Sequence, residues 1–164
     1  STIPLVLDAD ALHILGKNSK ILSKTKVPAI ITPHPGEMAK IIKKDVGFVL
    51  DNRLEVVKEV AQKLGVIVVL KGAKTSIADK KGNIFINNGD NSGMATGGSG
   101  DVLTGVISGL IAQGLNGISA AVTGVYVHSL AGNLARDLKG ERGMIAGDIL
   151  SQIPQAFLNI EDSI

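Results

Sequence analysis

An α/β fold, with a mostly parallel sheet sandwiched by helices and an antiparallel hairpin at one edge, is what three features of this 164-residue sequence predict. Short apolar runs recur without alternation, as in Val66-Ile67-Val68-Val69-Leu70, and a strand covered on both faces has no polar side to show. Between such runs lies helical spacing: over 51–64, Leu54, Val57, Val60, Ala61 and Leu64 recur every three or four residues, with Arg53, Glu55, Lys58, Glu59 and Lys63 on other faces. Finally, two short β-favouring runs, 75–78 and 84–87, are joined by Asp79-Lys80-Lys81-Gly82-Asn83, the composition of a hairpin turn.

Taken in order, Ile3 to Leu7 is an apolar run ending in Asp8-Ala9-Asp10, and 29–31 is another ending in Thr32-Pro33-His34-Pro35; both predict buried strands feeding turns. Asp8 or Asp10 suits a helix cap, Pro35 suits a first helical turn, and Glu37 suits the dipole of that helix. The helix over 51–64 is stopped by Gly65, and the run 66–70 follows as a strand. Segments 102–113 and 118–138 are helices apolar on nearly every face and rich in Ala and Gly, so they belong inside. A last short helix over 146–153 is expected to end at Pro154. There is no internal repeat, and a single domain over 1–164 is expected. If the strand at 3–7 is central it has few earlier elements to flank it, which predicts the latter part of a larger fold; the alternative is that it is an edge.

Composition narrows the function. Three Phe, one Tyr and no Trp leave Val, Ile, Leu and Ala to build the core, and the 20 glycines cluster between Gly82 and Gly147. A net charge of +2, with no basic stripe interleaved with aromatics, argues against nucleic-acid binding. With no cysteine there is no disulfide, no thiolate nucleophile and no cysteine zinc site. No run reaches the roughly 18 uncharged apolar residues of a membrane span, and no basic and apolar leader opens the chain, so a soluble, cytoplasmic protein without membrane partners is expected.

The strongest chemical signal is Gly93-Met94-Ala95-Thr96-Gly97-Gly98-Ser99-Gly100-Asp101, running straight into an apolar helix. Glycines let backbone N–H groups approach an anion, and a helix N-terminus adds unpaired amides and a partial positive charge. Asp101 is expected at the N-cap, facing the anion that the loop attracts; that repulsion needs a metal ion or a proton transfer to relieve it. A helix-starting loop with an ordinary aspartate cap explains the same residues without chemistry. Three further places lie at strand ends, where α/β sites assemble: Asp8-Ala9-Asp10, His34-Pro35-Gly36-Glu37, and Lys71-Gly72-Ala73-Lys74-Thr75. Singly, each also has a structural explanation as a cap or a solvated turn.

Together, Leu7-Asp8-Ala9-Asp10-Ala11-Leu12, Thr32-Pro33-His34-Pro35-Gly36-Glu37-Met38, Val69-Leu70-Lys71-Gly72-Ala73-Lys74-Thr75 and 91–101, in that order, resemble the ADP- or ATP-dependent NAD(P)H-hydrate dehydratase family of the ribokinase-like superfamily. The resemblance runs over essentially the whole chain. It implies a ribokinase-like fold and a nucleotide-repair reaction, in which hydrated NADH or NADPH is phosphorylated on its added hydroxyl by ADP or ATP with Mg²⁺, and phosphate is then eliminated. It further implies Asp101 as general base, also touching substrate, and a nucleotide site from Lys71, Gly72, Ala73, Lys74 and Thr75 together with Met94, Ala95, Thr96, Gly97, Gly98, Ser99 and Gly100. His34 would contact the hydrated dinucleotide. Glu37, where related kinases carry the glutamate of an N-x-x-E motif, would position Mg²⁺ through water, although histidine replaces that asparagine here. His128 and Asn133 read instead as hydrogen-bonded core polar groups.

Family members carry a considerable portion before the LDADAL-type segment, supplying strands and part of the substrate pocket. Association is therefore expected, as a homo-oligomer or with a chain supplying that portion. Two rivals stay open: a ribokinase-like kinase that stops at a phosphorylated sugar, hydroxymethylpyrimidine or thiazole alcohol, and a non-catalytic nucleotide-binding subunit.

Overall fold

The computed structural model describes residues 3–17, 20–24, 27–89 and 91–162. Its elements are β1 (Leu5–Leu7), α1 (Ala9–Lys17), α2 (Lys20–Ser23), β2 (Ala29–Ile31), α3 (Pro35–Ile42), α4 (Val46–Asp51), α5 (Arg53–Leu64), β3 (Ile67–Leu70), β4 (Thr75–Ala78), β5 (Ile84–Asn87), α6 (Ser99–Ala112), α7 (Gly117–Lys139) and α8 (Ala146–Glu161), with a 3₁₀ turn at Ser92–Met94 before α6. The strands form one sheet in the order β1-β2-β3-β4-β5. The first three are parallel, while β4 and β5 are antiparallel additions paired Thr75 to Asn87 through Ala78 to Ile84.

Both faces of the sheet are covered, which explains the missing alternation in the strands. Ile31, Val68 and Leu70 point to one side and pack with Leu12, Met38, Val57 and Leu64 from α1, α3 and α5. Their neighbours Ile30, Val69 and Ile77 point to the other, against Leu103, Ile107 and Leu110 of α6 and Ala121 and Val125 of α7. Each fully buried aliphatic side chain contributes about 1.5–3 kcal/mol against the entropy of ordering it. A third cluster joins α7 to α8 through Val127, Ala131, Ile149 and Ala156. No described helix is long and apolar enough to cross a membrane.

Several expectations are corrected. Of the two readings of the strand at 3–7, the edge is the one found: β1 is the edge of the sheet among the described residues. The helix expected over 51–64 is α5, which starts two residues later, at Arg53, because Asn52 leaves helical geometry at φ −121°, ψ 36° and closes the separate helix α4 before it. Pro154 does not end the last helix; α8 continues to Glu161. Proline there removes one backbone donor, at a cost of about 3 kcal/mol, and burial of Ile149 and Ala156, with Ile153 and Phe157 packed beside them, offsets it. Helix α6 starts three residues earlier than the apolar pattern, at Ser99, and this moves Asp101 from the expected N-cap into the first turn.

Candidate active site

The carboxyl ends of β2 and β3 and the start of α6 meet around a cavity of about 490 Å³, within the size range of small-molecule sites. Its walls include His34, Lys71, Gly72, Ala73 and Thr75 on one side and Met94, Ala95, Thr96, Ser99 and Gly100 on the other. Ten of the residues singled out in the sequence are thereby brought together. Lys74, Gly97, Gly98, Asp101 and Glu37 do not line it.

Helix α6 is capped by Gly98 at φ +88°, ψ −10°, a left-handed conformation that glycine takes without steric cost, and no side chain caps the amides that follow. Ser99 N–H bonds back to the Thr96 carbonyl at 3.3 Å, leaving the Gly100 and Asp101 amides of the first turn without intrahelical acceptors. These donors, with the positive end of the helix dipole, are the anion-holding feature of the site. Asp101 stands in that first turn with its side chain exposed to solvent, beside Gly100, which lines the cavity. The carboxylate is thus at the helix start.

Behind Gly100 lies an ion pair. Lys71 Nζ donates to Asp8 Oδ1 at 2.7 Å, and Thr104 Oγ1 donates to Asp8 Oδ2 at 3.1 Å. Burial alone would raise the Asp8 carboxyl; the Lys71 hydrogen bond and charge, with the Ala9 amide and Thr104 hydroxyl, outweigh it and hold the carboxyl below its ordinary value. Ala9 sits at φ +47°, uncommon for a residue with a Cβ, as the chain turns from β1 into α1 beside this aspartate. A Cβ added at Gly100 would stand 3.1 Å from Lys71 Nζ, so this pair fits closely under the glycine.

His34 caps α3. Its Nδ1 accepts from the Gly36 and Glu37 amides at 3.0 and 3.4 Å, which places the proton of the neutral ring on Nε2. Glu37 completes the box by accepting the His34 amide at 2.7 Å through Oε2. The exposed His34 ring lines the cavity with Nε2 3.6 Å from Glu37 Oε1, and Glu37 is engaged in holding it. Among the described residues, no group of three or more His, Asp or Glu gathers as a metal cage.

Three contributors were given no such role by the sequence. Arg53, read as a surface residue of an amphipathic helix, donates through Nη2 to the carbonyls of Leu70, Lys71 and Lys74. Thr104 lies within an apolar helix with no pattern to mark it. Asn91 pins the loop to α7, donating to the Gly132 carbonyl at 2.8 Å and to Asn133 at 3.3 Å, and it accepts from the Gly93 amide. His128 is buried as expected, with Nε2 3.4 Å from Ser99 Oγ, but it also lines the cavity. Burial, with the nearby Lys71 charge adding to it against an opposing contact with the Ser99 backbone, pushes its pKa down to about 4, so its ring is neutral at pH 7.

A family model described as NAD(P)H-hydrate dehydratase matches residues 1–155. A bifunctional NAD(P)H-hydrate repair enzyme Nnr of Moorella thermoacetica is 43% identical over 162 residues, 99% of this chain and 31% of that protein. Among solved structures, an ADP/ATP-dependent NAD(P)H-hydrate dehydratase from Bacillus subtilis co-crystallised with ATP/Mg²⁺ superposes with a TM-score of 0.86 and 31% identity, over 97% of this chain and 56% of that one. A ribokinase-like superfamily protein from Enterococcus faecalis superposes at 0.76 with 30% identity, over 92% and 50%. The chain spans between about a third and little more than half of the length of the proteins it matches.

Proposed function

The chain belongs to the NAD(P)H-hydrate dehydratase family, and from that membership we propose that it carries the nucleotide- and phosphoryl-handling part of an ADP- or ATP-dependent dehydration of hydrated NADH or NADPH. The observation that carries this reading is the glycine-capped start of α6, with its unpaired amides and Asp101, set against the Lys71–Thr75 turn across one cavity. A nucleotide fits these residues: Thr75, Gly72 and Ala73 line one wall, and the Gly100 amide sits where a side chain would crowd Lys71.

In the proposed reaction the added hydroxyl of the hydrate attacks the terminal phosphorus of the nucleotide, the bond to the bridging oxygen breaks, and AMP or ADP departs. Asp101, in the first turn of α6, takes the hydroxyl proton. The Gly98–Asp101 turn holds the charge that develops on the transferred group. The ring carbon–oxygen bond, already present in the hydrate, then breaks, phosphate leaving with its electron pair, and loss of a ring proton restores the dihydronicotinamide double bond. Phosphorylation is needed because hydroxide is a poor leaving group. The His34 Nε2–H would orient the dinucleotide.

Mg²⁺ would enter with the nucleotide phosphates, which supply most of its ligands in such sites, and Glu37 would reach it only through water. When bound it neutralises phosphate charge. The β1 edge, with Leu5 and Ile14 exposed, is where further strands from a second copy or an accompanying chain would complete the substrate side.

The test is direct. The protein is incubated with hydrated NADH and ADP or ATP while dihydronicotinamide absorbance and free phosphate are followed. Their joint appearance supports the reading, whereas accumulation of a stable phosphorylated product identifies a kinase, and nucleotide binding without turnover identifies a binding subunit.

A further inference from the structure

The strand end that carries Lys71 holds a second cation that the mechanism above leaves without a role. Arg53 opens α5, yet its guanidinium lies under the 70–74 turn, where Nη2 donates to Leu70 O at 3.0 Å, Lys71 O at 3.3 Å and Lys74 O at 3.1 Å. Among the described residues no carboxylate pairs with it, and Nε is buried without a hydrogen-bond partner. Burial lowers its pKa below the ordinary arginine value, but a guanidinium stays charged at neutral pH.

Two consequences follow from peptide geometry and charge. In a trans peptide the N–H points away from the C=O, so a Lys71 carbonyl drawn onto Arg53 turns the Gly72 N–H the opposite way, and Gly72 lines the cavity. Gly72 adopts φ +144°, and a Cβ there would stand 3.3 Å from both terminal nitrogens of Arg53, so conformation and space both call for glycine. Thr75 Oγ1 locks the turn from above by donating to Gly72 O at 3.0 Å. The second consequence is electrostatic: the Lys71 charge is paired with Asp8 at 2.7 Å, whereas the Arg53 charge meets only carbonyl dipoles and leaves a net positive field beneath the turn.

We propose that Arg53 is a positioning residue for the nucleotide phosphates, a half-buried clamp that turns the Lys71–Gly72 peptide toward an anion and charges the turn from below. The inference rests on the nucleotide-binding reading of the cavity. It separates the two cations of this strand end: Lys71 is neutralised in place, and Arg53 attracts phosphate without touching it.

The experiment titrates the protein, Arg53→Met and Arg53→Lys with ADP and with adenosine, which keeps base and sugar but has no phosphate. The expected result is that Arg53→Met weakens ADP by about tenfold or more and adenosine by less than about twofold, with Arg53→Lys in between and a shallower salt dependence of ADP binding in the methionine variant. Unchanged ADP affinity, or equal losses for both ligands, overturns the assignment and leaves a packing role only. Should Arg53→Met fail to fold by circular dichroism, Arg53→Lys decides: a loss of about threefold or more confined to ADP supports the clamp, and any other pattern overturns it. Absence of ADP binding by the unsubstituted protein overturns the nucleotide reading and this inference together. Intact binding indifferent to Arg53 overturns the inference alone.

Discussion

Two turns face each other across the cavity, and they prepare for the same kind of ligand by different physics. The 71–75 turn depends on side chains: Arg53 draws its carbonyls inward, Asp8 anchors Lys71, and the Thr75 hydroxyl closes it. The 96–101 turn depends on backbone: a left-handed Gly98 opens α6 with no side-chain cap, and the first-turn amides of that helix supply the donors. The first turn is therefore vulnerable at residues some distance along the chain, and the second at its own glycines and at the group that uses it. Placed on opposite walls, they leave an anion few orientations.

The comparison is broken most severely at the acidic residue of the backbone-built turn. Asp101→Asn keeps size and amides but removes the base, and is expected to lower turnover by about 10²–10⁴ while ADP affinity changes little. Turnover assays beside calorimetry check this, and near-normal turnover removes Asp101 from the chemistry.

Second in size is the buried imidazole that joins α7 to the start of α6. The His128 pKa lies at about 4 in the fold, against 6.5 for an ordinary histidine, so between these values the unfolded chain binds the extra proton. Stability is thus full above about pH 6.5 and falls as pH drops toward 4, by on the order of 3 kcal/mol at the limit. Urea unfolding across that window should show the slope, and His128→Gln should flatten it; an equal slope in the variant assigns the effect elsewhere.

A smaller effect separates neighbouring glycines. Gly98→Ala meets both a left-handed φ and the Ala146 Cβ at 3.1 Å, and should destabilise by about 1–2 kcal/mol and weaken ADP binding; Gly97→Ala enters open space and should cost less than about 0.5 kcal/mol. Equal melting temperatures for the two variants would contradict the left-handed cap as a structural requirement. The smallest expected effect is at the side-chain-built turn. The Asp8 carboxyl is held below its ordinary pKa, so its contribution is present above about pH 4 and lost as pH falls through its depressed value; Asp8→Asn should remove that acid-limb loss from unfolding curves measured down to low pH.

The difference between the turns also decides what was legible in the sequence. The backbone-built turn announces itself, because left-handed caps and close approach require glycines, and glycines in a row can be read; the hairpin strands at Thr75–Ala78 and Ile84–Asn87 were legible for a similar reason, a turn composition between β-favouring runs. The side-chain-built turn was only half legible. Lys71-Gly72-Ala73-Lys74-Thr75 stands out, but Arg53 lies 18 residues from Lys71 and looks like any charged residue on an amphipathic helix. Thr104 is 96 residues from the Asp8 it holds. The corrected boundaries have two causes: apolar periodicity does not mark Ser99-Gly100-Asp101, the turn of α6 turned to the site, and Pro154 reads as a stop although α8 runs on beyond it through the buried Ala156.

A titration of the ¹⁵N-labelled protein with ADP, followed at its backbone amides, tests most directly whether both turns hold one nucleotide between them. The account predicts saturable shifts at Gly72 and Ala73 and at Ser99, Gly100 and Asp101, all fitting a single dissociation constant. Shifts confined to one turn, or two sets with unrelated constants, would contradict it.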